Sequence, residues 1–273
     1  MAKKAKIAWF GKHFGEEPPL VGDKNQGAGG IFFSGCNLRC AFCQNYQISQ
    51  GKVEQKEYSV EQLAEIMIGL QKQGAINIDL VSPTIWFQQI KEAILIAKNK
   101  GLAIPIVWNS NAYESERLLK EMKGLVDIYL PDFKYGDDEA ALRYSNAKNY
   151  SKIAEKAIKE MLRQVGNLKL EQGIAKKGVV VRHLVLPNNL ENSFKALKII
   201  ASIDKNIYLS LMNQYYPLHR VREFPEINRK VSKEEFQKVF EYAGKLGFES
   251  GWVQQEGSPR AFVPNFMAKE PFK

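Results

Sequence analysis

The sequence predicts an α/β protein, a partial or full (β/α) barrel of six or more parallel βα units. Short, nearly continuous apolar runs alternate with amphipathic stretches from residue 30 to about 255, as strands buried beneath helices require. The units follow one another in a single series, without an internal repeat or a low-complexity linker. At 273 residues the chain has a length at which α/β barrels fold as single domains.

The elements follow in order. "GGIFFS" reads as the first strand, and Ser59 with Gln62 forms a capping-box start for the helix that Gly74 stops. "INIDLVS" is a strand, "IWFQQIKEAILIAKNKG" a helix, and "IPIVWNS" the next strand. A short helix over 115–123 precedes the strand "LVDIYL"; a helical stretch over 137–164 breaks near Asn146 to Asn149. "GVVVRHLVL" gives a fifth strand, 192–202 a helix, and "IYLSLM" a sixth strand. Ser232 and Glu235 open the last helix, which Gly247 ends before a final strand in "SGWVQ". The expected organisation is an extension over 1–29 packing on the barrel, the barrel over 30–255, and a tail over 256–273.

Composition narrows the function classes. The chain is 45% hydrophobic, and no run approaches the roughly 18 apolar residues of a membrane helix. Basic residues and a short apolar run open the chain without forming a signal peptide. Three cysteines, an odd number, argue against an oxidising compartment, so a cytoplasmic protein without membrane contact is expected. The net charge of +9 permits a polyanionic partner such as nucleic acid. Lysines interleaved with glutamates, as in "KEEFQKVFEYAGK", read instead as solvated helix faces.

All three cysteines, Cys36, Cys40 and Cys43, fall in "SGCNLRCAFCQN", just after the first strand. Barrel chemistry sits on such βα loops. Structural zinc takes four ligands, and a fourth would have to come from His13, His183 or His219, all distant in sequence. Iron–sulfur clusters suit thiolates and usually take four. Three cysteines would leave one iron of a [4Fe–4S] cube open to a small molecule.

The spacing C-x3-C-x2-C, with Phe42 before the third cysteine, resembles the signature of the radical S-adenosylmethionine (SAM) superfamily. The resemblance implies a [4Fe–4S] cluster that cleaves SAM reductively to a 5′-deoxyadenosyl radical, which then abstracts hydrogen. Within the superfamily, "SGCNLRCAFCQNYQIS" and "YLPDFKY" look most like proteins related to pyruvate formate-lyase activating enzyme. On that resemblance the cysteines hold the metal cluster and Phe42 lies against the adenine. Ser82 and Thr84 stand where the family often has a Gly-Gly-Glu turn for the SAM amino group. Asn109, with Ser110, could meet the ribose or carboxylate. Asp132 and Lys134 resemble the activases' Asp-x-Lys, and Arg182 matches an arginine that reaches the SAM carboxylate. Asn213 and Gln214 stand where activases often carry a histidine.

The connection over 213–231 mixes aromatic and basic groups, and Tyr215, Tyr216 and Arg222 are its candidate substrate contacts. The leading reading is hydrogen abstraction from a protein or peptide, with flavodoxin or ferredoxin as the electron donor the resemblance implies. Modification of RNA or of a small metabolite, and a zinc-stabilised binding module, are the alternatives.

Overall fold

The computed structural model describes residues 4–51, 53, 55–253 and 263–272. In chain order the elements begin with β1 (Lys4–His13), α1 (Pro18–Val21), β2 (Ala28–Phe33), α2 (Tyr46–Ser49) and β3 (Lys56–Ser59). There follow α3 (Val60–Lys72), β4 (Ile78–Val81), α4 (Phe87–Asn99), β5 (Ile106–Ser110), α5 (Glu116–Met122) and β6 (Ile128–Pro131). Next come α6 (Asp138–Ser145), α7 (Tyr150–Val165), β7 (Lys169–Glu171) and β8 (Ile174–Leu184). The series closes with α8 (Leu190–Ile203), β9 (Tyr208–Met212), α9 (Lys233–Lys245) and β10 (Gly251–Val253).

The strands form one open sheet in the order β10-β9-β8-β6-β5-β4-β2-β1-β3, with β7 paired to β8. Neighbours from β2 to β10 along this order pair in parallel; β1 pairs antiparallel with both β2 and β3. The architecture is therefore a partial barrel.

Local sequence explains the helix starts. Ser59 and Gln62 form a reciprocal capping box on α3, and Ser232 and Glu235 do the same on α9. The expected break in the 137–164 stretch is real: Asn146 and Asn149 both take left-handed backbone between α6 and α7.

Alternation along each strand divides the residues between two faces. Ile78, Leu80, Trp108, Tyr129 and Val181 pack outward among the helices. Val107, Ile128, Leu130 and Val180 pack inward with Leu20 of α1. The same alternation puts Asp79, Asn109, Asp132, Arg182 and Ser210 inside, so the interior is apolar at one level and polar above it.

Within the expected extension over 1–29, part of the chain joins the sheet. Lys4–His13 is a strand of the sheet, because β2 would otherwise present unpaired backbone groups at an edge. The following segment passes the N-terminal ends of the strands, where Asn77 Nδ2 donates to Leu20 O at 2.7 Å. At the other end of the chain, residues 263–272 fold back on β2, with Phe266 beside Phe32; residues 256–262 lie outside the described residues.

Candidate active site

A cavity of about 780 Å³ opens at the C-terminal ends of the strands and runs into the polar interior. Ligand sites commonly have this size. Gly35, with φ +83°, turns the chain out of β2 into the cysteine loop, whose Cys36, Cys40 and Cys43 all line the cavity. The loop is pinned by backbone bonds: Arg39 N to Ser145 O, Ala41 N to Tyr144 O, and Arg220 N to Ala41 O.

Each thiol has a distinct environment. Leu38 N and Asn111 Nδ2 each approach Cys36 Sγ at 3.4 Å, and Asn111 Nδ2 also donates to Asn37 Oδ1. Cys43 Sγ lies 3.3 Å from Ser49 Oγ. Burial, followed by the neighbouring Cys40, pushes the Cys43 thiol up to about 12. Burial also raises Cys40, opposed by the Lys134 charge. Buried thiols of this kind are inert until a metal displaces their protons.

Phe42 lines the cavity from one side and packs against Tyr135 and Tyr215 on the other. Ser82, Asn109, Asp132, Lys134 and Arg182 join it on the wall, with Ser110. Ser82 adopts φ 58° at the end of β4, left-handed backbone that a glycine-rich turn would take more easily. Such strain gathers at ligand sites.

Thr84 is not on the cavity. Its Oγ1 donates to Glu114 Oε1 at 2.9 Å, beside the indole donor of Trp108, so it serves the packing behind the wall. The 213–231 connection also departs from expectation. Tyr215 is a core residue whose hydroxyl donates to Ile227 O, Tyr216 faces the Lys230 ammonium, and Arg222 is exposed. None of the three lines the cavity, whereas Gln214 does. The connection braces the cysteine loop, with His219 stacked on Tyr46 at 4.7 Å.

A charge network sits within the polar level. Arg182 donates from Nε to Asp132 Oδ1, from Nη1 to Glu16 Oε2 and from Nη2 to Asn109 Oδ1, each at 2.6 Å. Lys134 Nζ donates to Asp132 Oδ2 at 2.6 Å. Burial alone would raise Asp132, but Arg182 and Lys134 outweigh it and hold the carboxyl below its usual range. Burial, then the Glu16 charge, raises Asp79 well above its usual value, and burial likewise raises Glu17. These two acids give up their protons less readily than Asp132 does.

Tyr150 joins the strand ends. Its hydroxyl accepts from Lys134 N and lies 2.8 Å from both Asn111 O and Asp132 O. Sequence reading missed Tyr150, Asn111 and Glu16. Tyr150 opens a helix far from the cysteines, and Glu16 carries no motif; only the unusual Arg182 inside an apolar strand called for such a carboxylate.

Three soft thiols on one loop that borders the cavity are a donor set that fits an iron–sulfur cube. His183 has both ring nitrogens engaged, by Phe133 O and Ser193 Oγ, and His219 stacks on Tyr46. The buried Gln214 Oε1, without a partner, borders the same cavity and offers an acceptor to a ligand.

A partial (β/α) barrel carrying a three-thiol loop at the mouth of an open, charged cavity is the arrangement of a cofactor-dependent α/β enzyme. Residues 31–198 match the radical SAM superfamily, and the chain belongs to it. That membership implies a [4Fe–4S] cluster and SAM. An uncharacterised protein of Methanocaldococcus jannaschii is 34% identical over 87% of this chain and 66% of its own length. A second from the same organism is 27% identical, over 81% of this chain. The chain spans about 66% and 60% of these two relatives. Pyruvate formate-lyase-activating enzyme of Clostridium pasteurianum is a weaker relative, 22% identical over 79% of this chain and 90% of that protein. Two solved structures share the fold. Streptococcus suis SuiB has a TM-score of 0.56 at 12% identity, covering 81% of this chain and 47% of that one. The FeFe-hydrogenase maturase HydG of Carboxydothermus hydrogenoformans has 0.56 at 11%, covering 82% and 52%. Among the described residues no helix is long and apolar enough to cross a membrane.

Proposed function

We propose that this protein abstracts hydrogen from a protein or peptide substrate, in the manner of an activase. Cys36, Cys40 and Cys43 would hold the cluster, and the cavity they border would receive SAM. When bound, the cluster and SAM supply a one-electron cleavage that yields the 5′-deoxyadenosyl radical. The observation that carries the reading is the meeting of three thiols with Asn109, Asp132 and Lys134 on one cavity wall.

The remaining roles follow from chemistry. Asp132, kept ionised by Arg182 and Lys134, offers fixed negative charge to hydroxyl or ammonium donors. Lys134 supplies the complementary positive charge, and Ser82 and Asn109 supply neutral hydrogen-bonding groups. Phe42 gives a flat apolar surface for a base. Arg182 acts by holding Asp132 and Asn109 in place. A radical reaction needs walls that keep water from the reacting atoms.

Electrons would come from a flavodoxin or ferredoxin. Three free cysteines suit a reducing, cytoplasmic setting. The test is anaerobic reconstitution with iron and sulfide, then SAM and dithionite. The expected result is a brown protein with about four irons that forms 5′-deoxyadenosine, while Cys40→Ala forms none. A stoichiometric tetrahedral zinc and no cluster would reject the reading.

A further inference from the structure

One wall of the cavity comes from the two ends of the chain. Trp9 and His13 of β1 and Phe272 of the segment 263–272 line it, with Phe32 of β2 behind them. The Phe272 ring lies in a box of other rings, at centroid distances of 5.0 Å from Trp9, 4.3 Å from His13 and 5.1 Å from Phe32. Glycines shape this box. A Cβ at Gly11 would stand 2.6 Å from the Trp9 ring, one at Gly15 2.7 Å from the His13 ring, and one at Gly30 3.1 Å from the Phe32 ring. Side chains there would turn the rings away. Burial, helped by the Arg182 charge, pushes His13 down to about 4, so its ring is neutral at ordinary pH and packs as an aromatic.

The segment that carries the occupant is anchored outside the box. Phe266 N donates to Gln47 Oε1 at 2.7 Å on α2, and Asn265 N donates to Pro271 O at 2.9 Å. Glu270 and Pro271 border the same cavity, so a peptide already runs along the wall with one aromatic side chain in the box. Phe272 keeps 38% of its surface exposed, which makes it a removable occupant rather than a core residue.

We propose that this box is the recognition site for an aromatic side chain of a peptide substrate, occupied in cis by Phe272. The inference rests on the function proposed above and names the chemistry of its substrate: a peptide with an aromatic side chain, delivered to the cavity that the cysteines border. Substrate enters as Phe272 leaves, so the segment competes with what it resembles.

The experiment uses the reconstituted full chain and a blocked peptide of residues 268–273, Ala-Lys-Glu-Pro-Phe-Lys, with binding followed by calorimetry or NMR. A tethered ring has an effective concentration on the order of mM. Phe272→Ala should therefore bind the peptide about tenfold tighter than the unaltered chain does. Replacing the peptide's phenylalanine by alanine should weaken binding to Phe272→Ala about tenfold, the worth of one well-packed aromatic contact. Adding Trp9→Leu to Phe272→Ala should do the same, and Gly11→Val provides a second route should Trp9→Leu melt early. Equal binding of the phenylalanine and alanine peptides overturns the proposal, as does equal binding to the unaltered chain and to Phe272→Ala. Formation of 5′-deoxyadenosine is measured on the same preparations. Its absence from the unaltered chain would sink the proposed function; its presence without phenylalanine-dependent binding would sink the box alone.

Discussion

Arg182 Nη1 donates to Glu16 Oε2 at 2.6 Å, although 166 residues separate the two in sequence. The same guanidinium donates to Asp132 and to Asn109. A fork that resemblance assigns to the SAM carboxylate thus has three of its five donors committed to the protein. Arg182 ties the segment after β1 to the strand ends that border the cavity.

Removing Glu16 should therefore destabilise the fold. Asp132 still compensates the Arg182 charge, so the loss is that of one buried charge-assisted hydrogen bond, about 1.5–3 kcal/mol. Both side chains are largely buried, at 13% and 8% exposure, so solvent screening is slight. Urea unfolding of Glu16→Ala should show a loss of that order, with Glu16→Gln between it and the unaltered chain. A loss of less than about 1 kcal/mol, the value of an exposed pair, would mean that Glu16 is not structurally coupled to Arg182.

Asn111 should govern how well the cysteine loop holds iron. Its amide approaches Cys36 Sγ and donates to Asn37 Oδ1, while Tyr113 N donates to its Oδ1. Groups that orient metal ligands typically contribute 10–100-fold to affinity. Asn111→Ala should reconstitute under excess iron but release iron to a chelator about 10-fold faster than the unaltered chain. An unchanged release rate would show that Cys36 needs no such support.

Much of this was legible in the sequence, for identifiable reasons. The βα series could be read because buried parallel strands are apolar throughout and helix starts carry their own caps, as at Ser59 and Ser232. The cysteine loop could be read because ligand spacing is local. Glu16 and Tyr150 could not, because their partners are brought to them by strand pairing and helix packing. The partners of Thr84 and Tyr215 were hidden for the same reason: the fold bonds one to Glu114 and the other to Ile227 O, away from the cavity lining.

Tyr150→Phe should loosen the strand ends more than the loss of one oxygen suggests. The hydroxyl accepts from Lys134 N and lies within 2.8 Å of Asn111 O and Asp132 O, in fully buried surroundings. Leaving such groups unpaired costs about 1–3 kcal/mol. Chemical unfolding should report that loss, and amide exchange at Lys134 should accelerate beyond the global change. Uniform acceleration across β5 and β6 would show a packing defect in place of a lost joint.

Glu114 should make stability depend on pH. Burial raises its carboxyl to about 7, against an ordinary value of 4.5, even though Trp108 and Thr84 donate to it. The folded state therefore binds this proton more tightly than the unfolded state. Its stabilising contribution is complete below about pH 4.5 and is lost as pH rises through about 7. The difference corresponds to roughly 3 kcal/mol. A glutamine cannot titrate and keeps an acceptor for the two donors. The stability of the unaltered chain minus that of Glu114→Gln should therefore fall between pH 4.5 and 7 and level off above. Other titrating groups cancel in that subtraction, so a flat difference across the window would place the Glu114 proton elsewhere.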